Sequence, residues 1–120
     1  MPARILIVED SPLVTDAYRI LIEAAGYEVD TAASVAEAIE RATAVPADLM
    51  LLDLTLPDGH GLEIQKALGE SGSLPRTTLA MTGHKDSASR ARCLEAGCAD
   101  VLLKPVPISE LLRQIQRHLQ

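Results

Sequence analysis

The chain has 120 residues, of which 48% are hydrophobic, and a formal net charge of −6; it contains two Tyr and no Phe or Trp. That length and apolar content fill one core, so residues 1–120 are expected to form a single domain. The negative charge repels a phosphate backbone and the missing aromatics remove base-stacking platforms, which excludes direct nucleic-acid binding. No apolar run is long enough to insert in a membrane, and Arg4 interrupts the first one, so a soluble, cytoplasmic protein is expected.

Five short runs rich in Leu, Ile and Val alternate with segments of helical period, the pattern of parallel strands joined by crossover helices. Arg4 to Val8 is the first strand. Ser11-Pro12 then provides an N-cap and a proline at the first helical position, and Leu13, Ala17, Ile20, Leu21 and Ala24 give the first helix an apolar face up to Gly26. The second run, Tyr27 to Ala32, is polar and alternating, as suits an edge strand. Ser34-Val35-Ala36-Glu37 is a capping box that opens a helix with Val35, Ala38, Ile39 and Ala42 as its buried stripe, ending before Pro46. Asp48 to Leu52 is the third strand, and a third helix runs from about Gly61 to Leu68 before a flexible Gly69 to Ser73.

Thr77 to Met81 is the fourth strand. The helix after Asp86 offers only Ala88, Ala91 and Leu94 for burial, which makes it the element most ready to move. Cys93 and Cys98 have no second pair or ordered histidines and read as small, reduced, partly buried residues. Asp100 to Leu103 is the fifth strand. The last helix carries Ile108, Leu111, Leu112, Ile115 and Leu119 on one side, so it docks on the domain. His60, in a turn, and His118, on that helix, read as surface residues.

In an open parallel α/β sheet, ligands bind beyond the carboxyl ends of the strands, where the strand order reverses. The first strand here ends in Glu9-Asp10, the third in Asp53, the fourth in Thr82 and the fifth in Lys104-Pro105. Singly, each is an ordinary turn, cap or surface residue. Jointly, they bring three acids, a hydroxyl and an ammonium to one rim, which turn chemistry does not require. The three carboxylates and one ammonium leave a charge of about −2, which a hard divalent cation that prefers carboxylate oxygens and works with phosphates would balance. Asp53, on the central strand, is best placed to meet an incoming phosphoryl group.

The segments "VEDSP", "LLDLTLPDGHGLE", "MTGH" and "VLLKP", in that order along the whole chain, resemble the receiver domain of two-component response regulators. The resemblance implies a flavodoxin-like (βα)5 doubly wound parallel sheet with strand order 2-1-3-4-5. It implies that Asp53 takes a phosphoryl group from a phosphohistidine of a histidine kinase or histidine phosphotransfer protein. On the same basis Asp10, Asp53 and the backbone carbonyl of Thr55 hold Mg²⁺, with Mn²⁺ as the alternative ion, and Glu9 acts through a metal-bound water. Lys104, preceding a cis proline, pairs with the phosphoryl oxygens, and Thr82 moves to hydrogen-bond one of them. Such a domain catalyses its own phosphorylation and slow dephosphorylation without being a conventional turnover enzyme, and it switches an output surface for an unidentified domain or partner.

The family commonly has an aromatic three residues before this lysine and another after the Lys-Pro pair; here they are Val101 and Val106. The output face of fourth helix, fifth strand and fifth helix is therefore expected to be aliphatic, with coupling through Thr82 and the backbone from Gly83 to His84. Thr55 and His84 occupy positions that tune acyl-phosphate lifetime in the family. Two other readings compete with this one. A haloacid dehalogenase-type hydrolase has a second Asp two residues after its nucleophile, where this chain has Thr55. A phosphorylation-independent interaction module with the same fold is opposed by the intact set of Glu9, Asp10, Asp53, Thr82 and Lys104. A stand-alone regulator, the receiver of a transcription factor and that of a hybrid kinase stay open.

Overall fold

The structure is a computed structural model that describes residues 2–83 and 87–119. Its elements run β1 (Arg4–Val8), α1 (Pro12–Ala24), β2 (Glu28–Ala32), α2 (Val35–Ala44), β3 (Leu49–Asp53), β4 (Thr55–Leu56), β5 (Gly59–His60), α3 (Leu62–Ser71), β6 (Thr77–Thr82), α4 (Ser87–Glu95), β7 (Asp100–Leu103) and α5 (Ile108–Leu119). The main sheet is parallel with order β2-β1-β3-β6-β7, which is 2-1-3-4-5 when only its five strands are counted. β4 and β5 form a separate antiparallel pair that periodicity did not reveal, each strand being two residues long.

Alternation along the strands sorts the aliphatic side chains into two layers. Ile5, Ile7, Leu49, Leu51, Leu79, Met81 and Leu102 meet Ile22 of α1 and Leu111 and Ile115 of α5. Leu6, Val8, Met50, Leu52 and Ala80 meet α2, α3 and α4 through Ala38, Ala42, Ile64, Leu68 and Cys93. The central strands β3 and β6 are buried throughout, whereas β2 at the edge is partly exposed.

The helices correct the sequence reading in five places. On α1, Ile22 is buried and Val14 and Tyr18 are half-buried, while the expected face is outside, with Leu13 85% and Ile20 57% exposed. Val14, Tyr18 and Ile22 form a second stripe at four-residue spacing, and the Tyr18 hydroxyl settles the choice by donating to the Val106 carbonyl at 3.2 Å. Period alone does not choose between two apolar faces. Ser11 sits at the N-cap but makes no side-chain cap bond. Its N–H instead donates to Glu9 Oε2 at 3.2 Å.

α3 continues to Ser71 because Gly72, at φ 75°, takes the left-handed cap and Ser73 N–H closes on the Leu68 carbonyl at 2.9 Å. On α4 the buried residue is Cys93, while Ala88, Ala91 and Leu94 are exposed. That helix is indeed held by little apolar surface. The remaining helices follow expectation: Ala38 and Ala42 anchor α2, with Val35 and Ile39 packed beside them, and Leu111 and Ile115 anchor α5. His118 is half-buried on α5 and not a surface residue.

Cys93 and Cys98 are both buried free thiols, deeper than expected. Burial, reinforced by the neighbouring Cys93 sulfur, pushes the Cys98 thiol up to about 12; burial also raises Cys93. Thiolate is the reactive form. At pH 8 the folded chain is therefore expected to resist iodoacetamide over the interval in which the urea-unfolded chain takes two labels, as read by intact mass.

Candidate functional site

β1 and β3 bring the acids to the rim. β1 and β3 are neighbours, and β2 and β6 lie outward on opposite sides, so the strand order reverses between β1 and β3. Glu9, just past β1, is fixed by its N–H to the Ala32 carbonyl at 3.0 Å and is only 3% exposed. Asp10 follows it and is exposed. Asp53 is the last residue of β3, opposite Met81, and is 5% exposed. Glu9, Asp10 and Asp53 bring carboxylate oxygens within 4.8 Å of one another. An all-oxygen donor set of this kind suits a hard divalent cation.

Lys104 closes the rim from the far side. Its N–H donates to the Thr82 carbonyl at 2.7 Å, which sets it one residue beyond the Thr82–Leu103 pairing of β6 and β7. Its ammonium lies 3.0 Å from Glu9 Oε1 and 3.0 Å from Asp53 Oδ2. Burial works against the ammonium, but hydrogen bonds to Asp53 and Glu9 and their charges outweigh it, so the Lys104 pKa lies above the ordinary lysine value. The Lys104–Pro105 peptide is cis, as the resemblance implied. Val106, just beyond, is buried and accepts the Tyr18 hydroxyl.

Thr82 ends β6 at the same rim and is buried. Thr55 donates its N–H to Asp53 Oδ1 at 3.2 Å and is paired with His60 across the β4–β5 ladder. His84 lies outside the described residues. Val101 packs against the α2–α4 layer of the core and not at the rim. His60 is exposed, as expected, yet its Nδ1 accepts the Leu62 N–H at 3.1 Å and so caps α3.

Three residues with a part in the site were not singled out from sequence. Tyr18 ties α1 to the segment after Lys104. Gly61 packs on the exit of β3, its N–H donating to the Leu54 carbonyl at 2.8 Å. Asp58 reaches the start of α2, accepting from Val35 N–H at 2.8 Å and Ala36 N–H at 3.1 Å. The "PDG" turn signal was visible, but the distant partners of these residues were not.

The fold and rim define a class: a doubly wound α/β domain with an acidic, lysine-closed site at its switch point. The chain matches the response regulator receiver domain family over residues 5–116. It is 32% identical to the polar-differentiation response regulator DivK of Brucella anthropi over 99% of this chain and 98% of that protein. It is also 32% identical to the transcriptional regulatory protein KdpE of Mycobacterium tuberculosis, over 93% of this chain and 49% of that protein, so it spans about half of that relative's length. The structure of a CheY-like response regulator receiver domain protein from Methanospirillum hungatei superimposes with a TM-score of 0.90 at 31% identity, covering 99% of this chain and 94% of that one. The chain belongs to the response regulator receiver domain family and has the phosphoacceptor role of a two-component system. Among its described residues no helix is long and apolar enough to cross a membrane.

Proposed function

We propose that Asp53 is the phosphoacceptor, that Mg²⁺ serves the transfer, and that the donor is a phosphohistidine on a partner kinase or phosphotransfer protein. The observation that carries this is the buried Asp53 carboxylate, 3.0 Å from the Lys104 ammonium and grouped with Glu9 and Asp10 at the switch point. Asp10, Asp53 and the Thr55 carbonyl would hold the ion, with Glu9 behind a bound water. When bound, the cation offsets the charge of the acids and draws electrons from the phosphoryl oxygens.

The chain's own residues account for the rest. As the donor's P–N bond breaks, an Asp53 carboxylate oxygen forms the new P–O bond and the imidazole leaves with a proton. Lys104 already spans Asp53 and Glu9, so a phosphoryl group on Asp53 meets a cation in place. Thr82, one strand away, supplies the hydroxyl that reads the added charge, and lightly anchored α4 follows. The exposed apolar stripe of α1 begins at Leu13, next to the rim, and offers a docking face for the donor protein.

Incubation with acetyl phosphate and Mg²⁺, followed by intact mass, tests this. A gain of one phosphoryl group that is lost with EDTA and absent in Asp53→Asn is expected. No gain on folded protein overturns it in favour of a phosphorylation-independent interaction module.

A further inference from the structure

Thr55 sits on a segment that leaves Asp53 at the end of β3, is closed at its stem and is tied elsewhere at its tip. The stem is the β4–β5 ladder, together with the Gly61 N–H bond to the Leu54 carbonyl. The tip is Pro57-Asp58, and the Asp58 carboxylate crosses to another element. Its two oxygens take the Val35 and Ala36 amides, at 2.8 and 3.1 Å, across 23 and 22 positions of sequence. Those amides belong to the first turn of α2, which follows β2; β2 pairs with β1, which is followed directly by Glu9 and Asp10. The clamp therefore joins the segment that follows Asp53 and carries Thr55 to the framework bearing the other two acids.

α2 does not need Asp58 merely to be capped. Ser34 Oγ already accepts the Glu37 N–H at 3.1 Å, and Glu37 Oε1 accepts the Ala33 N–H at 2.6 Å. The helix has its own capping box, and the carboxylate from the loop is an addition. Bonds from the two amides hold the Asp58 carboxyl below its ordinary pKa, and the positive end of the helix favours the anion.

We propose that Asp58 is a positioning residue for the cation site: by fastening the loop tip to α2, it fixes the Thr55 backbone, just past Asp53, relative to Glu9 and Asp10. This rests on the proposed Mg²⁺ role. Groups that orient metal ligands change affinity by about 10–100-fold when removed. Asp58→Ala should therefore weaken Mg²⁺ binding by about tenfold.

The test is MgCl₂ titration of the unphosphorylated protein, followed by amide shifts at residues 9–10 and 53–55, for the parent chain, Asp58→Ala, Asp58→Asn and Ser34→Ala. Ser34→Ala removes a cap from the same helix without touching the loop, so its Mg²⁺ affinity should stay within about twofold of the parent. Asp58→Asn keeps one acceptor oxygen and should fall between; it also serves where Asp58→Ala does not fold. Parent affinity in both Asp58 variants, or an equal loss in Ser34→Ala, overturns the inference and leaves the metal reading intact. Absence of Mg²⁺ binding in the parent chain overturns both.

Discussion

Lys104→Met is expected to melt roughly 8 °C below the parent chain without divalent cation, equivalent to about 2 kcal/mol. The lysine's ammonium is the cation between Glu9 and Asp53, both nearly inaccessible to water. Removing one member of a fully buried ion group costs ~3–5 kcal/mol, and the partial exposure of Lys104 reduces that by solvent screening. Methionine preserves much of the stem's packing, so the loss reports the charge. Millimolar Mg²⁺ should recover most of it, because an ion that binds only the folded state stabilises it by mass action. A variant as stable as its parent without Mg²⁺ would show that the lysine does not neutralise the rim.

The pH dependence of the parent chain carries the same signature. A lysine whose folded pKa is raised contributes stability that is fully present below the unfolded value. It is lost as pH rises through the folded one. The contribution of Lys104 is thus constant through neutral pH and disappears only in strong alkali. Alkaline melting curves of parent and Lys104→Met should converge there.

Gly61→Ala is the second large effect, about 3 kcal/mol of destabilisation together with reduced phosphoryl uptake at Asp53. Gly61 has ordinary helical backbone angles, φ −55° and ψ −32°, so conformational freedom is not its reason for being there. A β-carbon would stand 3.0 Å from Leu54 Cα and closer still to the Asp53 carbonyl oxygen. Both are backbone atoms at the end of a buried central strand and have no rotamer with which to yield. Accommodation has to move α3 or the exit of β3, and the second shifts Asp53. Gly69→Ala is the control, since nothing lies within 4 Å of a β-carbon there. Thermal melts and the acetyl-phosphate mass assay on both variants check the contrast.

Much of this was legible in the sequence. β1 and β7 fall where the aliphatic runs placed them, and the rim residues Glu9, Asp10, Asp53, Thr82 and Lys104 stand out because each directly ends or follows a run. A parallel sheet aligns those ends, so chain position becomes spatial position. The docked face of α1 was not legible, because Leu13, Ala17, Ile20 and Leu21 compete with Val14, Tyr18 and Ile22, and only contact with α5 and Val106 decides between them. Asp58 and Gly61 look like turn residues in a "PDGHG" segment. Their roles come from Val35 and Ala36 in one case and from the Asp53 backbone in the other, partners that no local pattern announces.

The pairing of Glu9 with Lys104 spans 95 positions, so the rim unites the first and last strands of the domain's main sheet. During synthesis the acids at 9, 10 and 53 leave the ribosome first, and the cation that balances them emerges only with the last strand and the residues just after it. A nascent or truncated chain lacking β7 has the Asp53 carboxylate but neither Lys104 nor the strand that seats it. Assembly of the charged rim is thereby coupled to completion of this domain, because the cation that balances the acids is seated by its last strand.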